Sequence, residues 1–142
     1  MKTVKEILEA KGSDVWTVGP EAPVLEAVRR MAEKEIGALL VQKEGRVVGI
    51  ISERDYARKI ALLGKSSQTT PVSEIMTPEV ITVRPTQTVE DCMAIMTQER
   101  IRHLPVVDGD RLIGVLSIGD LVKAVIAEQQ YVIEQLEHYI VS

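Results

Sequence analysis

The chain has 142 residues, 45% of them hydrophobic and 27% charged, with a formal net charge of −4 and a single cysteine. These figures suit one compact domain or two small halves sharing a core; they exclude an internal disulfide and a cysteine-based zinc cluster. They also argue against a nucleic-acid partner, which calls for a basic surface, and with 3% aromatics and no Phe there are no stacking platforms for single strands.

The longest apolar runs, Ala38 to Val41 and Val47 to Ile51, are far short of a membrane span. The first residues, Met1 to Glu6, are polar and amphipathic and do not resemble a secretion signal. The expectation is a cytoplasmic protein, or one of another reducing compartment, with no membrane partner.

In chain order, Val4, Ile7 and Leu8 share one face of a short helix over residues 4–11 that ends near Gly12. Trp16-Thr17-Val18 is extended, and Pro20 and Pro23 bracket a turn. From Val24 to about Lys34 the apolar residues recur at helical spacing. Residues 38–42 and 46–51 read as strands joined by Lys43-Glu44-Gly45. Ser52 then opens a helix to about Leu63, and residues 64–71 form a Gly/Ser-rich linker.

After the linker the pattern returns. At a shift of 65 residues Thr17 meets Thr82, Pro20 meets Pro85, Met31 meets Met96, Leu39 meets Leu104, and Gly49, Ser52 and Asp55 meet Gly114, Ser117 and Asp120. The lead-in recurs at a slightly different shift, Val4 to Leu8 against Val72 to Met76. The fold class is therefore α+β, a β-α-β-β-α unit used twice, whose halves bury their apolar faces together. The expected boundaries are repeat 1 with its N-terminal helix over 1–66, repeat 2 over 67–127, and an extra C-terminal helix over 128–142. That helix carries an apolar stripe, including Val132, Ile133, Leu136 and Ile140, beyond the repeat. It either packs on its own domain or forms a subunit contact. A homodimer is the reading adopted, because the repeat core is complete without it.

Each repeat passes from an apolar segment into a helix through Ser-x-x-Asp: Ser52 and Asp55, then Ser117 and Asp120. Such a junction presents unpaired backbone N–H groups and suits an anion. The same pattern is a capping box, and a cap and a ligand contact are compatible for the serines. A carboxylate there can accept hydrogen bonds from both hydroxyls of a ribose. Arg54, Arg58, Arg102 and His103 are candidate phosphate ligands, since a guanidinium matches phosphate oxygens at two points. The repeats differ, with Gly37-Ala38 where the second has Arg102-His103. The first also has Arg54 where the second has Gly119, so the Asp55 site, with Arg54 and Arg102 nearby, is expected to be the more basic and to prefer phosphorylated nucleotides. Cys92 sits with Val89 and Met96 on an apolar helix face and reads as buried and inert.

With these residues the chain resembles the CBS-domain proteins over nearly its whole length. The marks are the tandem repeat, Thr17 to Pro20 and Thr82 to Pro85, the two Gly-x-x-Ser-x-x-Asp endings, and residues 101–107, which match the family's mid-repeat strand. The resemblance implies a pseudo-two-fold disc with two clefts for adenosine ligands such as AMP, ADP, ATP, NAD(H) or S-adenosylmethionine. One cleft would combine Ser52 and Asp55 with Thr82, Pro85, Arg102 and His103. The other would combine Ser117 and Asp120 with Thr17, Pro20, Gly37 and Ala38. It implies a sensor that signals to an unidentified regulated protein, with no catalytic residues and no metal. The rival readings are a structural dimerisation module with degenerate pockets and an enzyme acting on a nucleotide through His103.

Overall fold

The structure, a computed structural model, describes residues 2–141; Met1 and Ser142, the outer ends of the first and last expected segments, lie outside the described residues. Its elements are α1 (Val4–Lys11), β1 (Thr17–Val18), α2 (Val24–Lys34), β2 (Ala38–Lys43), β3 (Arg46–Ser52), α3 (Glu53–Tyr56), α4 (Val89–Glu99), β4 (His103–Asp108), β5 (Arg111–Ser117) and α5 (Ile118–Val141). A π-helical turn, Ala57–Ala61, prolongs α3, and Val72–Glu74 is a single 3-10 turn. No helix among the described residues is long and apolar enough to cross a membrane.

The chain divides into two compact bodies, one of residues 15–81 and the other of residues 1–14 with 82–142. The N-terminal helix, grouped by sequence with repeat 1, therefore packs with repeat 2. The reason lies in the helix starts. In the first body α2 begins at Pro23, which offers no side-chain cap. Its Val24 and Leu25 N–H groups donate instead to the carbonyls of Thr70 and Ser67, at 2.9 Å each. What reads as a flexible linker is thus pinned to this helix. In the second body Val89 at the start of α4 donates to the carbonyl of Lys2 (3.0 Å). Lys2 stands to Thr70 as Val4 stands to Val72. Each lead-in completes a body by the same bond, and the one that starts the chain serves the second.

In the first body β1, β2 and β3 form a sheet in that order, with β1 parallel to β2 and β2 antiparallel to β3. Val24, Ala27 and Met31 of α2 close over Leu39, Val41 and Ile51, with Val72 and Ile75 of the lead-in completing this core. In the second body β4 and β5 pair antiparallel in the matching register, Ala38 opposite Ser52 becoming His103 opposite Ser117. The expected first strand of repeat 2 is reduced to one parallel bridge, Val83 to Val106. The second rung of that ladder needs an N–H from residue 105, which is proline.

The two lead-ins also differ. Residues 4–11 form two turns of helix, whereas the matching 72–76 manage only the 3-10 turn, hemmed in by Pro71 and Pro78. Both run against the second hairpin strand at a glycine. A Cβ on Gly114 would stand 2.7 Å from Leu8 Cδ2; one on Gly49 would stand 2.5 Å from Met76 Sδ and 3.0 Å from the Thr77 carbonyl oxygen. Cys92 lies fully buried beneath α4. Burial, with Asp91 beside it, pushes its thiol up to about 11, so it is unreactive at neutral pH.

Candidate functional site

Each hairpin ends where its second strand turns into a helix, and both Ser-x-x-Asp sequences close into full capping boxes. At the first, Ser52 Oγ accepts the Asp55 N–H (3.2 Å) and donates to Asp55 Oδ2 (3.1 Å), which also accepts the Ser52 N–H (2.9 Å). At the second the same three bonds join Ser117 and Asp120 at 3.2, 3.0 and 2.8 Å. The carboxylates are half-buried, with side chains 15% and 16% exposed. Box and side-chain burial together fix their orientation.

Each carboxylate also holds a lysine that the sequence reading did not assign to a site. Lys59 Nζ lies 3.1 Å from Asp55 Oδ1 and donates to the Ile75 carbonyl (2.8 Å). Lys11 Nζ lies 2.7 Å from Asp120 Oδ2 and donates to the Val115 carbonyl (2.6 Å). Lys59 was legible in the sequence, four residues beyond Asp55 on the same helical stretch. Lys11 was not, being 109 residues from its partner. Each site thus carries an ammonium beyond the basic residues expected of it, and Lys11 arrives from outside the repeat register.

The ladders show which of the expected residues lie beside the box of the same body. Gly37 accepts the Glu53 N–H (3.0 Å), and Arg102 accepts the Ile118 N–H (2.9 Å). The Gly37-Ala38 and Arg102-His103 pairs thus lie beside the box of their own body. Arg54 and Arg58 are exposed on α3 and its π-helical continuation. Thr17 lies on β1, where its carbonyl accepts from Arg30, and Pro20 is buried with its carbonyl holding the Ser73 N–H (2.9 Å). Thr82 and Pro85 line an open cleft of about 900 Å³ with Lys5, Arg84, Gln87 and Asp108. This cleft lies toward the turn end of the β4–β5 hairpin, where Asp108 faces Arg111; Asp120 follows the other end, where His103 faces Ser117.

Burial acts to raise the Asp120 pKa, but the Lys11 ammonium and the Ser117 N–H and hydroxyl outweigh it and hold the carboxyl below its ordinary value. A carboxyl lowered by folding stabilises the fold above its unfolded pKa of about 3.9, and that contribution is lost as pH falls through the lower folded value. Part of the wild-type stability should therefore disappear between pH 5 and pH 2. Asp120→Asn should be less stable at pH 7, by roughly 1 kcal/mol for the weakened box and ion pair. It should also lose less over that acid range, and urea unfolding at pH 7 and pH 3 checks both. Equal acid losses in the two proteins would contradict the assignment.

The chain matches the CBS domain family over residues 4–62 and again over 72–127. It is 40% identical over 148 aligned residues to the mitochondrial CBS domain-containing protein CBSX3 of Arabidopsis thaliana, covering 97% of this chain and 71% of that one. Its fold is similar to that of a CBS-domain protein of Burkholderia ambifaria, at 53% identity and a TM-score of 0.87 over 90% of this chain and 96% of the other. It is also similar to the CBS domain pair of protein MJ0100, solved with 5′-methylthioadenosine and S-adenosyl-L-methionine, at 28% identity and a TM-score of 0.79 over 90% and 98%.

Proposed function

The chain belongs to the CBS-domain family, and on that premise we propose that it is a regulatory module that takes an adenosine ligand at Asp55 and another at Asp120, and performs no catalysis. The observation that carries this is the doubled box: two half-buried carboxylates, each oriented by its own serine at the end of a hairpin. A carboxylate so held suits a ribose hydroxyl, because its orientation is fixed before the ligand arrives and Oδ1 keeps accepting capacity. The adenosine compounds bound to MJ0100 favour the same ligand class. AMP, ADP, ATP, NAD(H) and S-adenosylmethionine are the candidates, with Arg54, Arg58, Arg102 and His103 as phosphate contacts and Thr17, Pro20, Gly37, Ala38, Thr82 and Pro85 as wall residues.

Ligand would shift the module between arrangements that a regulated protein reads, and its leverage equals the difference in its affinity for them. We place the protein in a reducing compartment, in keeping with its one buried thiol. The complete capping boxes favour a second reading, in which the aspartates only start helices and the chain is a structural dimerisation module. Thermal unfolding with each candidate ligand separates the two. A ligand at a hundred times its Kd adds about 2.7 kcal/mol, or roughly 5 to 10 °C for a chain of this size. A rise of that order with an adenosine ligand supports the sensor; no rise with any of them leaves the structural module.

The exposed second half of α5 bears on assembly. Residues 128–141 are all exposed, and Val122, Ile126, Ile133, Leu136 and Ile140 recur at steps of four, seven, three and four along one side of the helix. That is the seam of a helix meeting its like, and we propose that α5 pairs two chains into a homodimer.

A further inference from the structure

The two lysines reach equivalent carboxylates from positions that do not correspond. The repeat partner of Lys59 is Ala124, and the lead-in partner of Lys11 is Glu79. Each body lacks a lysine at the position the other uses, yet each has an ammonium on its aspartate. The form of the lead-in determines which one. In the first body the lead-in is extended enough for Thr77 to exchange backbone bonds with Ile50, its N–H reaching the Ile50 carbonyl at 2.9 Å. That leaves the Ile75 carbonyl to Lys59. In the second body α1 stays helical. Val115, which corresponds to Ile50, has its carbonyl taken by Lys11 instead.

An ammonium has three N–H donors in a rotating set. Lys11 commits one to the Val115 carbonyl and one to Asp120, and Lys59 commits one to the Ile75 carbonyl while ion-pairing with Asp55, so each is held in place with at least one donor left. In the second body Asp120 receives Lys11 on the same oxygen as Ser117, which leaves Oδ1 for a ligand hydroxyl. In the first, Lys59 shares Oδ1 of Asp55, which retains a second lone pair.

We propose that Lys11 and Lys59 are the specificity-determining residues of the two aspartate sites, each giving a remaining N–H to an anionic group of a ligand whose ribose the aspartate holds. This deepens the reading of Asp55 and Asp120 as adenosine sites and rests on it. The ligand class is then a nucleotide carrying phosphate close to its ribose, at both sites and not at the Asp55 site alone. A charge-assisted hydrogen bond of this kind amounts to roughly a tenfold preference or more for AMP over adenosine.

Calorimetric titration of the full chain with AMP and with adenosine tests this one site at a time. In an Asp55→Ala background only the Asp120 site remains, and AMP should bind at least about tenfold more tightly than adenosine. Adding Lys11→Met should lower that ratio about tenfold, by the share one charge-assisted bond supplies, while Lys11→Arg, which keeps the charge, should preserve most of it. The reciprocal pair, Asp120→Ala with Lys59→Met, repeats the test at the other site and guards against a Lys11 variant that fails to fold. A ratio unchanged by Lys→Met would overturn the role of the lysines while leaving the aspartate sites intact. Failure of the unmutated chain to bind either compound would overturn the sites and the lysine role together.

Discussion

Deleting residues 2–11 is expected to unfold the second body while the first retains its structure. The deleted helix buries Val4, Ile7 and Leu8, and its Leu8 fills the space left by Gly114. Three side chains of this kind contribute roughly 5 to 8 kcal/mol of burial before ordering entropy is charged against them. That is comparable to the whole stability of a small domain, about 5 to 15 kcal/mol. The deletion also removes the Lys2 carbonyl from the start of α4 and Lys11 from Asp120. Amide exchange reads the outcome by segment: protection should collapse over β4, β5 and α4 and persist over α2, β2 and β3. Trp16, the single tryptophan, stacks under Lys34 in the first body and reports that body alone. If α1 belonged with repeat 1, as its place in the chain suggests, the loss would fall on residues 15–63 instead. A milder variant, Leu8→Ala, should cost about 2 to 5 kcal/mol in the same body.

The second large effect concerns assembly. If α5 pairs two chains, wild type should run at twice the 15.7 kDa chain mass in light scattering. Ile133→Glu with Leu136→Glu should then run as a monomer. Both side chains are about half exposed within one chain, so the substitutions cost little in the isolated fold. Each instead places an unpaired charge in the seam, a penalty of several kcal/mol. A monomeric wild type, or an unchanged mass in the double variant, would move the dimer contact off this helix. Thermal unfolding of the variant near the wild-type midpoint, extrapolated to low concentration, would show that the chain itself remains folded.

Much of this architecture was legible because it occurs twice. The register that pairs Thr17 with Thr82 and Asp55 with Asp120 located both hairpins and both boxes, and the equivalent strands pair in the same register. The departures trace to individual residues. Pro105 removes one N–H and reduces the first strand of repeat 2 to a single bridge, and its consequence could have been drawn from the sequence. Pro71 and Pro78 shorten the second lead-in in a way that was equally open to reading.

What the sequence could not supply was the exchange of lead-ins. Periodicity gives Val4, Ile7 and Leu8 a buried face but does not say which repeat covers it. For the same reason Lys11, on the last turn of that helix, could not be connected to Asp120 across 109 residues. The boxes themselves are complete as caps, and their ligand role stands on chemistry that a titration can address.

That titration tests the central claim most directly. With AMP in a calorimeter, the account predicts two binding events per wild-type chain, one in Asp55→Ala, one in Asp120→Ala and none in the double variant, all four proteins remaining folded. An AMP stoichiometry unaffected by either substitution, or no AMP binding to the wild-type chain, would contradict it and leave the two aspartates as helix caps alone.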